Sequence, residues 1–299
     1  MPMNRSLAPP LYWTGSQRIS HMDRATLYGN IEREDYDELP GINWSVLKHS
    51  LEHPAKSMWE LQKKNQPTDR MILGSAIHCL FLEGEDAYSR QYAVCPKVDR
   101  RTKDGKAAYS AFVERSRGKS VLSEESDLNV RKVVKSLAKH PAASDYVVTH
   151  QAEQAIRFEL VESLWGKGII DLMPTGDGPI VDLKTTRDAS PTGFARQIAN
   201  MHYHGQACYY RRAVASLDGK PRRDFVFIAV EVEPPYMIGV YKLNQESIEC
   251  GERMVDVAID RWYAASRGQQ GFDPHYTDYV EDLSIPVWAM GKDVENVLA

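Results

Sequence analysis

The chain has 299 residues, 42% of them hydrophobic and 26% charged, with a net charge of -4 at pH 7. This is the balance of a soluble globular protein with one large core or two modest ones. No apolar run approaches the roughly 20 residues of a membrane span, and the slightly acidic balance means that a nucleic-acid partner is not announced by overall charge.

The first residues, MPMNRSLAPPLYWTGSQ, contain no apolar signal core, so the default address is the cytosol of the host. Residues 1–30 read as an extended arm, 31–270 as a single domain and 271–299 as a tail. Neither a tandem repeat nor a low-complexity block is visible. Cys79, Cys95, Cys208 and Cys250 are far apart without a CxxC pair, which argues against zinc and disulfides and for reduced thiols.

Order is expected from about Leu39. Ser45 is placed to cap a short helix through Leu51, and Pro54 to start a second helix whose Met58, Trp59 and Leu61 face the core. Met71 to Glu83, MILGSAIHCLFLE, reads as a buried helix with His78 as its strongly polar interior member. A buried imidazole needs a partner, either a backbone group or a metal ion. Helices are then expected over Asp104–Lys119 and Glu124–His140, with Ser123 as a cap and Pro141 as a stop.

From His150 the pattern changes to strands, with HQAEQAIRFELVE, LWGKGIIDLM and GPIVDLKTT predicting an antiparallel meander. Glu153, early in the first, reads as either a ligand or a surface acid. Gly166 to Thr186 concentrates acids and a lysine on a hairpin around Pro-Thr-Gly-Asp-Gly-Pro. If Pro174 and Pro179 close the loop, Asp171 falls opposite Asp182 and Ile169 opposite Lys184. Opposed carboxylates repel unless a cation lies between them. Ile170, Leu172, Val181 and Leu183 then point to the core.

Met201 to Ser216 reads as a helix with His202, Gln206 and Tyr210 on one face, which suits either a water- and phosphate-positioning role or packing. Phe225–Val232 and Tyr236–Leu243 read as strands and Gln245–Arg267 as a long helix. The tail is expected to drape over the body or serve a subunit contact. Two basic stretches, Lys97, Arg100, Arg101, Lys103 and Lys106, and Arg211, Arg212, Lys220, Arg222 and Arg223, are either a phosphate track or solvated surface.

Taken in order, GSAIH at 74–78, the Glu153 strand, GIID at 168–171, VDLKT at 181–185 and QACYY at 206–210 resemble the RecB-like branch of the PD-(D/E)XK nucleases. The helical lead-in makes the chain most similar to the exonuclease VIII (RecE) nuclease domains of phages and prophages. The proline of the superfamily name is absent before Asp182, a position that varies. Four cysteines without the spacing of the iron–sulfur members of the branch imply no iron–sulfur cluster.

The resemblance implies an α/β (α+β) fold, a central mixed sheet flanked by helices around a restriction-endonuclease-like core. It implies 5' to 3' digestion of linear double-stranded DNA in a bacterial cytoplasm, leaving a single strand for an annealing protein of the RecT type in phage recombination, and a ring-shaped homo-oligomer. One or two Mg²⁺ or Mn²⁺ ions would be held by Asp171, Asp182, His78 and the Leu183 carbonyl. Lys184 would orient or deprotonate the attacking water or hold the phosphate, Glu153 would support a second ion or the water, and Gln206 and Tyr210 would position water and phosphate. Lys97, Arg101, Arg211 and Arg212 are the expected DNA contacts. The rival readings are a structure-selective endonuclease on the same fold and a catalytically silent DNA-end binding module.

Overall fold

The computed structural model describes residues 24–63, 66–220, 224–268 and 271–286. An edge strand β1 (Ala25–Gly29) is followed by α1 (Arg33–Glu38), α2 (Trp44–Leu47) with a tight turn over Lys48–Leu51, and α3 (Pro54–Gln62). Next come α4 (Asp69–His78), which widens into a π turn over Cys79–Glu83, α5 (Glu85–Gln91), β2 (Tyr92–Cys95), α6 (Lys103–Arg115) and β3 (Ser120–Ser123). The helices α7 (Glu124–Lys139) and α8 (Pro141–Thr149) lead into β4 (His150–Val161), β5 (Leu164–Pro174) and β6 (Ile180–Thr186). After α9 (Pro191–Met201) and α10 (Tyr203–Asp218) the chain forms β7 (Phe225–Glu231), β8 (Ile238–Lys242) and α11 (Gln245–Ser266).

The main sheet runs β1-β4-β5-β6-β7-β8. The meander β4-β5-β6 is antiparallel as expected, whereas β6 and β7 are parallel, joined by a crossover through α9 and α10. Each face has its own core. On one, α2, α9, α10 and α11 pack an aromatic-rich cluster including Trp44, Phe158, Phe194, Tyr209, Phe227 and Trp262; on the other, α4, its π turn, α7 and α8 bury an aliphatic set including Leu137, Leu172, Val181, Leu183 and Ile228. Strands covered on both sides need continuous apolar character, and Phe225 to Val230 is buried throughout.

Several local expectations are corrected. The cap of α2 is Asn43, whose side chain accepts from the Val46 amide, while the Ser45 hydroxyl merely bonds Asn43 Oδ1. Met58 packs against the core, but Trp59 is 65% and Leu61 44% exposed. The helix carrying His78 starts at Asp69, capped by Thr68, and Met71 lies on its exposed side. Ser123 caps α7 and the helix stops just before Pro141, both as expected; Pro141 also opens α8, with the His140 ring accepting from the Ala143 amide.

Ala25–Gly29, read as part of an arm, pairs with β4, and the rest of that stretch through residue 23 lies outside the described residues. In the tail, Phe272 packs on Trp262 and Tyr276 meets the His53 ring edge-on. The four cysteines are free thiols. Among the described residues no helix is long and apolar enough to cross a membrane.

Candidate metal and catalytic site

Three neighbouring strands each bring one carboxylate to a single row. The β4–β5 register keeps one offset through Ala152↔Leu172 and Gln154↔Ile170, so Glu153 stands opposite Asp171. The β5–β6 pair Leu172↔Val181 in turn sets Asp171 against Asp182, the opposition counted from the two prolines. Beyond that pair the strands part. The Leu183 amide donates to Asp171 Oδ2 at 2.8 Å instead of to a β5 carbonyl. Glu153 has φ 51, a left-handed conformation that costs a non-glycine residue about 1 kcal/mol or more, and it drops out of the ladder.

The fourth group arrives from α4. A Cβ at Gly74 would come within 3.3 Å of Thr185 Oγ1, so glycine lets the helix lie close on β6. One turn later His78 Nδ1 is 3.5 Å from Asp171 Oδ2. Donor atoms of His78, Glu153 and Asp171 all lie within 4.8 Å of one another. A quarter of the His78 side chain and 14% of that of Asp171 remain open to solvent, so the donors are recessed but reachable.

Burial decides the protonation states. It holds the His78 imidazole down at about 4, with the Lys184 charge adding to the effect, so His78 is neutral at pH 7 and has a lone pair to give. Burial pushes Glu153 well up, and Asp171 and Glu83 add repulsion. Asp171 is also raised by burial, but Lys184 and the Leu183 amide oppose the shift. Both carboxyls of the facing pair are thus held above the usual carboxylate range, and a cation between them would relieve both.

Asp182, 1% exposed, is pushed up to about 6, mainly by burial. Its Oδ1 accepts from Gln206 Nε2 at 3.3 Å. Its Oδ2 is fully buried and forms an ion pair with Lys184 Nζ at 2.6 Å. The imidazole of His78 with the carboxylates of Glu153 and Asp171 fits a hard or borderline divalent cation such as Mg²⁺ or Mn²⁺, whereas Asp182, expected as a main ligand, stands outside that group with Lys184 on its Oδ2.

Burial alone would lower Lys184, but Asp182 and Asp171 outweigh it and the net shift is upward, so the side chain stays an ammonium. It lies 4.8 Å from the centre of the Tyr203 ring. Tyr210 packs on β5 at Gly168, where a Cβ would fall 2.5 Å from the ring, and its hydroxyl interacts with Gln206. His202 does not share the face of these residues. It sits in a left-handed linker at φ 58 between α9 and α10, and the true stripe is Tyr203, Gln206 and Tyr210.

The expected DNA contacts divide. Arg211 and Arg212 are largely buried and cross-link α10 to α11 through Glu252, with Arg212 also 2.6 Å from Asp256. Those partners occupy their charge, which corrects the reading of this pair as a phosphate track. Lys97 and Arg101 are exposed after β2, outside the carboxylate row. Arg222 and Arg223 lie outside the described residues. Tyr203 is absent from the expected set, although its i, i+3, i+7 spacing with Gln206 and Tyr210 marks it.

Residues 43–281 match the family described as a PDDEXK-like domain of unknown function (DUF3799). No curated protein matches the chain. A solved structure from Eubacterium rectale, named a "Putative exonuclease", superposes with a TM-score of 0.56 at 12% identity, covering 89% of this chain and 99% of that one. At that identity the likeness shows the fold, and it agrees with the mixed sheet flanked by helices described above.

Proposed function

The chain belongs to the PDDEXK-like domain family, and from that premise we propose that it is a metal-dependent exodeoxyribonuclease acting on linear double-stranded DNA. The observation that carries the reading is the carboxylate row Glu153–Asp171–Asp182, closed by the neutral His78 and the charged Lys184. A silent DNA-binding module has no use for three buried carboxylates, whose repulsion and desolvation cost stability.

Mg²⁺ or Mn²⁺ held by His78, Glu153 and Asp171, with Asp182 and the Leu183 carbonyl alongside, would supply a Lewis acid and an acidified water. Lys184, ion-paired with Asp182 in the ion-free protein, would orient the attacking water and stabilise charge growing on the phosphate. Gln206 fixes Asp182, and Tyr210 holds Gln206 from below.

On the resemblance to exonuclease VIII, digestion runs 5' to 3' and leaves a strand for a RecT-type annealing partner in phage recombination. The protein works as a ring in a bacterial cytoplasm, with residues 31–270 as the nuclease domain. Lys97 and Arg101 are offered as peripheral DNA contacts.

The test is digestion of linear duplex labelled at the 5' or the 3' end, with Mg²⁺, Mn²⁺ or chelator, beside the Asp182→Ala protein and a closed circle. Early release of the 5' label as mononucleotide, lost in Asp182→Ala, is the expected result. Cutting of the closed circle would move the assignment to an endonuclease, and binding without metal-dependent product would move it to a binding module.

A further inference from the structure

The turn Lys48–Leu51 stands beside Lys184 and is fixed from three sides. Trp44, at the start of α2, donates its indole N–H to the His202 carbonyl at 3.1 Å, and the next residue, Tyr203, places its ring beneath the Lys184 ammonium. The fully buried hydroxyls of Ser50 and Ser57, 2.7 Å apart, tie the turn to α3. Arg261 of α11 donates to the carbonyls of Ser50 and Leu51. Lys48 therefore projects from a rigid ledge, as a positioning residue must.

Lys48 is half-buried and, among the described residues, makes no hydrogen bond or ion pair through its side chain. The nearby acids carry their own lysines, Glu52 with Lys56 and Glu60 with Lys63. Burial lowers the Lys48 pKa and the charge of Lys184 lowers it further, with Glu60 only partly opposing them, so the two ammonium groups feel each other. His49 and His202 beside it are also pushed down by burial and then by Lys48, which leaves them neutral at pH 7. Lys184 has Asp182 as its counter-ion at 2.6 Å, whereas Lys48, although it feels the charge of Glu60, makes no ion pair among the described residues. A fixed, partly desolvated cation next to another is unfavourable in the free protein and becomes favourable when an anion is placed between them.

We infer that Lys48 binds a phosphodiester of the DNA strand being cut, adjacent to the phosphate held at Lys184. The inference rests on the nuclease reading above and adds a second phosphate position to the same site. Lys48 positions the strand and does not touch the reacting atoms.

The test measures binding of linear duplex DNA as a function of salt, with chelator present so that nothing is cut, for the wild type, Lys48→Gln and Lys48→Arg. Each phosphate contact contributes about 0.9 to the slope of log affinity against log salt. Lys48→Gln is expected to weaken binding by about tenfold and flatten the slope by about one, with Lys48→Arg restoring both. With Mg²⁺ the same loss appears as a raised KM for DNA and a smaller change in kcat. A wild type that binds while Lys48→Gln binds equally well with the same slope overturns the Lys48 assignment and leaves the nuclease reading intact. A wild type that neither binds nor cuts DNA overturns the nuclease reading, and this inference with it.

Discussion

Lys167 and Lys184 occupy neighbouring strands of one sheet, both largely buried, each with its ammonium 4.8 Å from the centre of a tyrosine ring. Their chemistry differs. Lys167 donates to three backbone carbonyls, of Tyr36, Asp37 and Leu39, at 3.0, 3.1 and 2.9 Å, and so fastens the end of α1 to the sheet. Burial nevertheless lowers its pKa, because neutral dipoles do not offset the desolvation of a charge. Burial also acts to lower Lys184, but the carboxylates of Asp182 and Asp171 outweigh it. Similar burial thus gives a structural cross-link where the partners are dipoles, and a charged working group where they are acids that a cation can share.

The largest expected effect belongs to Lys184→Ala. Cleavage should fall by about a thousandfold or more, the range for losing a charge-stabilising group, while circular dichroism and cooperative unfolding stay native-like. Unfolding of the variant would break the contrast with Lys167. Lys167→Ala is expected to do the opposite. It leaves three carbonyls without their shared donor and should cost about 1–3 kcal/mol in urea denaturation, with cleavage per folded molecule close to wild type. Cleavage lost to the same degree as in Lys184→Ala would erase the distinction.

Gly168→Ala probes the wall between the two lysines. The added Cβ forces the Tyr210 ring to move, and through Gln206 the shift reaches Asp182. A misplacement of this kind should lower kcat by about tenfold with the fold retained, and an unchanged kcat would remove Tyr210 from the site.

The smallest effect is a titration. In the ion-free protein Asp182 binds its proton more tightly folded, at about 6, than unfolded at 3.8, so its contribution to stability falls as pH rises through that window. Ion binding runs the other way, because it needs the carboxylate. Mn²⁺ affinity measured by calorimetry should weaken progressively as pH falls through about 6, with proton release on binding. A flat profile between pH 5 and 7 would separate Asp182 from the ion.

Much of the acid–lysine strand pair was legible because it is local. The symmetric placement of Pro174 and Pro179 about the loop allowed Asp171 and Asp182 to be paired by counting, and strand alternation put Lys184 on the Asp182 face. Glu153 stayed ambiguous, since its place depends on the β4–β5 offset and on a left-handed backbone that no local residue signals. His202 was placed on the wrong element for a similar reason. The break between α9 and α10 is supported by the indole of Trp44, far away in the chain. The arginine pair looked like a phosphate track because its neutralising partners, Glu252 and Asp256, lie on α11.

The sequence by itself determined most of the periodic elements from the strand meander onward and the residue types of the site, because hydrophobic spacing, prolines and acid–lysine spacing act within one strand or turn. Only the tertiary structure decided which acids share a row, which lysine keeps its proton and which basic residues are already neutralised. Those properties depend on the dielectric surroundings and counter-charges that distant segments bring together, and these exist only once the chain has folded.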